Sequence, residues 1–150
     1  MHKISTTVLS LILILALTSC SKSPAPSTSF VSVKYLGIDH LYTCKGLEQD
    51  STYVINADES GSANKVQIRL IHVTKGNYTM GPATDAQMIW WVDGAAYSTR
   101  SHGSTGSVSI NTIDSTIYNI HGNLGAHLYN VQDTTDYLDL SGEFNVKYQY

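Results

Sequence analysis

The chain has 150 residues, ten of them tyrosine, with nine Lys or Arg against 12 Asp or Glu and a formal net charge of −3. Nothing in that balance resembles the basic patch of a nucleic-acid binder, and no nucleic-acid partner is expected. Two cysteines, Cys20 and Cys44, are too few for a disulfide framework.

The first element is a leader. Met1-His2-Lys3 is weakly basic, and Val8 to Leu17 is aliphatic apart from Ser10. A run of about ten apolar residues fits a signal-peptide helix and falls short of the roughly 20 that span a bilayer. Leu17-Thr18-Ser19-Cys20 then resembles the lipobox read by lipoprotein signal peptidase. The resemblance implies removal of residues 1–19, a diacylglycerol on the Cys20 thiol and an acylated new amino terminus. Acyl chains contribute roughly 0.8 kcal/mol per buried methylene, so several of them moor a protein without a spanning helix.

Residues 20–29 carry the lipidated cysteine and a Pro/Ser-rich tether. Ser21 is not the aspartate that marks inner-membrane retention in enteric bacteria, and no acidic run follows Cys20. The expected location is therefore the cell envelope, lipid-anchored at the outer membrane and facing the periplasm. The membrane is a partner through the N-terminal lipid alone.

Residues 30–150 form one domain, long enough to bury about two-thirds of its unfolded surface. With Cys20 used for lipid, Cys44 stands alone and is expected to be a buried, inert thiol. Val66, Ile68 and Leu70 alternate with Gln67 and Arg69, which predicts a half-buried strand. Met88–Val92 and Ala95–Thr99 flank Asp93-Gly94, a type I′ hairpin signal, because both central residues tolerate positive φ. Val108 and Ile110 mark another strand. Tyr118, Ile120, Gly122, Leu124, Ala126 and Leu128 mark one face of a long one, expected to bend or bulge at Gly122 and Gly125. At the C-terminus Leu138, Leu140, Gly142, Phe144, Val146 and Tyr148 alternate with polar residues over eleven positions, the clearest strand of all. Asp58–Gly61, Lys75–Asn77, Ser101–Gly106 and Asn130–Asp136 supply the turns. The fold class is all-β: a single antiparallel β-sandwich or calycin-like barrel of eight or nine strands, preceded by the signal-peptide helix.

Gly76-Asn77-Tyr78-Thr79-Met80, Ala96-Tyr97-Ser98-Thr99, Gly106-Ser107-Val108-Ser109-Ile110 with Asp114, Ile120-His121-Gly122-Asn123-Leu124 and Leu140–Tyr148 recur in an order that resembles small Bacteroidetes lipoproteins of uncharacterised function. Leu124 stands where an aromatic is usual there. Leu36-Gly37-Ile38-Asp39-His40 replaces that family's early Asn-Gly-x-x-Trp. The resemblance implies an envelope location and an all-β body, and no catalytic residues.

Candidate chemistry begins with the histidines. His121 and His127 share a strand face but lie roughly 20 Å apart at about 3.3 Å per residue, too far for one metal ion. His40, His72 and His102 lack ligand spacing, so no metal and no cofactor are expected. His102-Gly103-Ser104 with Asp93 lacks the turn that aims a serine nucleophile, and an enzyme is not expected. Asp133, Asp136 and Asn130 do not follow the calcium-loop pattern. Adjacent Trp90 and Trp91 face opposite sides of a strand: one belongs to the core, and the other can join Tyr97 as an apolar platform for a protein, peptide or glycan. The expected function is a non-catalytic binding or structural module, with a lipocalin-like small-ligand barrel as the alternative and a hydrolase more remote.

Overall fold

The computed structural model describes residues 28–149. The leader 1–19, Cys20 and most of the tether lie outside the described residues. The described residues hold ten strands and no helix, so the all-β class is correct. The strands are β1 (Phe30–Tyr35), β2 (Ile38–Gln49), β3 (Thr52–Asp58), β4 (Lys65–Ile71), β5 (Gly76–Met80), β6 (Ala86–Val92), β7 (Ala95–Ser98), β8 (Thr105–Asp114), β9 (Asn119–Asn130) and β10 (Tyr137–Gln149).

The count exceeds the eight or nine expected because tight two-residue turns divide the first part of the body. Leu36 and Gly37 (φ 50° and 81°) reverse β1 into β2, and Asp50 and Ser51 (φ 50° and 60°) reverse β2 into β3. Asp93 and Gly94 (φ 49° and 82°) make the third such hairpin, β6 to β7, at the position the dipeptide predicts. Two successive positive φ values match the right-handed twist of the flanking strands.

Pairing is mostly antiparallel and closes in a ring. β1, β2, β3, β4 and β6 follow one another, while β9 pairs β10 and β10 pairs β1. Between β6 and β9 the gap is bridged twice. At one end β7 pairs both strands. At the other, β5 meets β6 through the single parallel pair Met80 and Ala86, then pairs β8, which pairs β9. Closure satisfies strand edges that would otherwise recruit other chains.

Alternating residues fill the inside. Trp90, Tyr42, Phe144, Ile55, Ile68, Leu70, Met88 and Leu128 are all fully buried. Two local expectations need correction. Tyr118 does not join the core face of β9: Asp114 Oδ1 accepts the Thr116 and Ile117 N–H groups, and the resulting reversal puts Tyr118 in the turn at φ 50°. The irregularity expected at Gly122 and Gly125 falls on the partner strand. The register of β8 against β9 slips between Ile110 and Thr112, leaving Asn111 as the extra residue.

Asn145, on the polar side of the β10 alternation, is also buried. It sits in register with Phe30, and its Oδ1 accepts the Asn119 Nδ2–H at 2.9 Å. Burying two amides is tolerable because each is partnered.

The register defines two ends. The β1–β2, β3–β4, β6–β7 and β9–β10 connections gather at one, here the far end. The start of β1, the β2–β3 and β8–β9 turns and the end of β10 gather at the other, the near end, where the chain arrives from its N-terminal segment.

Candidate functional site

Trp90, Trp91 and Tyr97 do not share one platform. The two-residue turn at Asp93-Gly94 sets Trp90 opposite Tyr97 and Trp91 opposite Ala96, and directly opposed residues point to the same side of a sheet. Trp90 and Tyr97 therefore face inward, and half-buried Trp91 faces outward beside Lys65 and Ala96.

Trp90 is the hub of a cluster at the far end of the ring. Its Nε1–H donates to Tyr42 Oη at 2.7 Å. Tyr35 and His40 meet the indole edge-on, with centroids at 5.5 and 5.8 Å. His40 Nδ1 lies 3.3 Å from Glu59 Oε1, Asn64 Nδ2–H donates to Glu59 Oε2 at 2.7 Å, and the Asp93 N–H donates to Asn64 Oδ1. Burial alone pushes the Glu59 carboxyl up, but hydrogen bonds from Asn64, His40 and Ser62 outweigh it and hold it below the usual carboxylate range. Tyr97 Oη donates to Asp136 Oδ2 at 2.7 Å, tying β7 to the β9–β10 loop. The hub is a structural plug of satisfied polar groups.

Burial pushes the Tyr42 phenol up to about 12, with the Glu59 and Asp93 carboxylates adding to it. The hydrogen bond to Asp136, then burial, takes Tyr97 to about 12, and burial takes Tyr148 to about 12. Unfolded tyrosine ionises near 10. The folded state thus disfavours phenolate, and the associated stability is whole below pH 10 and lost as pH rises toward 12. Absorbance at 295 nm should show Tyr42, Tyr97 and Tyr148 ionising late, together with alkaline unfolding. A single transition near pH 10 in a protein that stays folded would contradict this.

An exposed aromatic cluster lies on the outer face of β9 and β10, and sequence reasoning missed it. His127 packs edge-on to Tyr129 at 5.0 Å and tilted against Tyr137 at 4.8 Å, and Tyr129 and Tyr137 lie 5.8 Å apart. His127 Nδ1 is 2.7 Å from Asp139 Oδ1. The register that joins them, Tyr129 with Tyr137 and His127 with Asp139, crosses a six-residue loop that does not fix it in advance. The rings pack against one another, and Tyr137 remains exposed.

The other candidates are used structurally. Ser104 is buried and its Oγ accepts the Tyr129 N–H at 2.8 Å, while His102 is exposed on the loop before it. Asp93 sits in the β6–β7 turn. Asp133 Oδ1 accepts the Thr135 Oγ1–H and N–H, bonds that hold its carboxyl below the usual range. Asp136 Oδ2 accepts from Tyr97 and Asn130. These carboxylates brace the loop from inside. Among the described residues no group of three His, Cys, Asp or Glu could hold a metal ion. Cys44 is buried, and burial pushes its thiol up to about 12.

The large apolar residues that remain exposed are distributed by end. Leu36, Ile38 and Leu41 on the β1–β2 hairpin are 80, 62 and 66% exposed. Val131 and Tyr137, beside the β9–β10 loop, share that far end. Leu47 on β2, 48% exposed, and Ile117 and Tyr118 on the β8–β9 turn lie toward the near end. No family model, curated protein or solved structure matches the chain.

Proposed function

We propose that this is a lipid-anchored module of the bacterial cell envelope that works by holding another protein, not by catalysis. The supporting observation is the apolar far end: Leu36, Ile38, Leu41, Val131 and Tyr137 stand in water on the side of the ring away from the N-terminal segment. Exposed aliphatic residues gathered at one place mark interaction surfaces. A tether entering at the opposite end leaves this surface free to meet a partner. Exposed aliphatic residues on a hairpin suit a protein groove better than a sugar ring, which stacks on flat aromatic faces.

We read the closed ring as a small barrel, not a sandwich, because β9–β10–β1–β2 continues without a break between sheets. The small-ligand reading has less support. Trp90, Tyr42, Phe144, Met88 and Leu128 occupy the interior that a ligand would need.

Photocrosslinking in the native cell tests the reading. A photoreactive residue at Leu36 or Ile38 should give a discrete adduct, and one at Ser107 on the side of the ring should not. Leu36→Asp with Ile38→Asp should abolish an adduct formed from Leu41 while leaving the melting temperature unchanged. Equal crosslinking at all positions, or none at the hairpin, would overturn the proposal. Acylation is tested separately by labelled palmitate, taken up by the natural chain and not by Cys20→Ala.

A further inference from the structure

The near end of the ring is built differently from the far end. The Ser29 Oγ accepts the Lys147 N–H at 2.9 Å, which fixes where the chain leaves the body. That point opens into a groove of about 510 Å³ lined by Ser29, Lys45, Gly46, Lys147, Ile117 and Tyr118 among others. Ile117 and Tyr118, 47 and 45% exposed, stand on the β8–β9 turn, with the Tyr118 ring edge-on to Tyr148 at 6.0 Å. The turn is held from both sides: Asp114 Oδ1 takes the Thr116 and Ile117 N–H groups, and the Tyr148 N–H donates to the Tyr118 carbonyl. The backbone that carries an aliphatic and an aromatic side chain is thus fixed, and Lys45 and Lys147 line the same groove.

That combination suits one surface. Tyrosine sits at the level of lipid headgroups, with its ring toward the acyl chains and its hydroxyl in water. Lysines reach headgroup phosphates from the same depth. Cys20 to Ser29 spans nine residue steps, about 30 Å at full stretch, so an acyl chain on Cys20 holds this end of the ring close to the bilayer.

We propose that the near end is a second membrane contact: Ile117 and Tyr118 enter the headgroup layer of the bilayer that carries the lipid anchor, while Lys45 and Lys147 meet its phosphates. The contact rests on the lipid-anchor reading and adds an orientation to it. Docked this way, the ring stands with Leu36 and Ile38 pointing away from the membrane. Glu48 and Asp114 act on Tyr148 beside the same groove, so the lysines give a local attraction and the apolar pair carries most of the contact.

The test uses the full, naturally processed chain in vesicles of phosphatidylcholine with phosphatidylglycerol. Because Cys44 lines the same groove, the dye experiments use a Cys44→Ala background. There a cysteine introduced as Ile117→Cys takes an environment-sensitive dye, and the Cys44→Ala chain provides the blank. Dye at position 117 should shift to the blue and be quenched by spin-labelled lipid, while dye on Leu36→Cys should do neither. Adding Tyr118→Asp should remove the shift. Lys45→Gln and Lys147→Gln should each weaken docking roughly fivefold on anionic vesicles.

Intact mass of the same sample reports acylation independently. An unacylated chain overturns both the anchor and this contact. An acylated chain with a water-like signal at 117, or with the shift at 36 instead, overturns the contact alone.

Discussion

Trp90→Ala should cost about 3–5 kcal/mol of folding stability, the range for removing a fully buried large aromatic, against a total of about 5–15 kcal/mol for an ordinary domain. The indole is completely enclosed, touches Tyr35 and His40, and donates its N–H to Tyr42. Urea unfolding should move to a midpoint lower by at least about 1 M, given a slope of about 1–3 kcal/mol/M. Trp91→Ala is the control, because that half-buried ring faces outward beside Lys65 and should cost much less. Tyr42→Phe should cost about 1–3 kcal/mol by stranding the buried indole N–H. In the Trp90→Phe background the same change should cost less, since no N–H remains to strand. Equal losses for the two tryptophans would show that the ring is not organised around Trp90.

The neighbouring tryptophans also mark what is legible in the residues. Opposite facing follows from period two, and the Asp93-Gly94 turn contains the rest: a two-residue loop fixes Val92 against Ala95 and therefore Trp90 against Tyr97. That arithmetic, which needs only the turn length, assigns Tyr97 to the same side as Trp90. The His127, Tyr129, Tyr137 and Asp139 cluster offers no such route, because the loop between Asn130 and Tyr137 leaves the pairing register open. Asp50-Ser51 lacks the glycine that announces a tight turn, so the break between β2 and β3 carries no local signal. Closure carries none either. It depends on contacts distant in sequence, such as Tyr148 beside Gly46 and Phe30 opposite Asn145, which no local pattern encodes. What local alternation does encode is the core: Val66, Ile68, Leu70, Val108, Ile110 and, on β10, Leu138, Leu140, Phe144, Val146 and Tyr148 point inward as their spacing requires.

Gly122→Ala and Gly142→Ala should also destabilise the ring, through crowding instead of a cavity. A methyl group at Gly122 would lie 2.5 Å from the Ser109 carbonyl oxygen and 2.6 Å from Phe144 Cζ. Phe144 stands in register with Gly122 and lays its ring over the space that the missing side chain leaves. At Gly142 the methyl would lie 2.3 Å from the Ser32 carbonyl oxygen, a backbone atom of β1. Side chains can rotate away, but paired backbone cannot, so relief requires β10 to move off β1. Each substitution should cost about 1–3 kcal/mol or more. Phe144→Leu should recover part of the Gly122 loss, since it removes one of two obstructions, and none of the Gly142 loss. Gly125 is the comparison within the same strand as Gly122, with its nearest obstruction, the Leu140 carbonyl oxygen, at 3.8 Å. There alanine should be neutral or stabilise by about 0.4–1 kcal/mol by restricting the unfolded chain. The three alanine variants, compared by thermal melting, ask whether the β9–β10–β1 seam closes the ring as tightly as the register implies. If Gly142→Ala melts with the parent, β1 is a loosely attached strand and the ring is open at that seam.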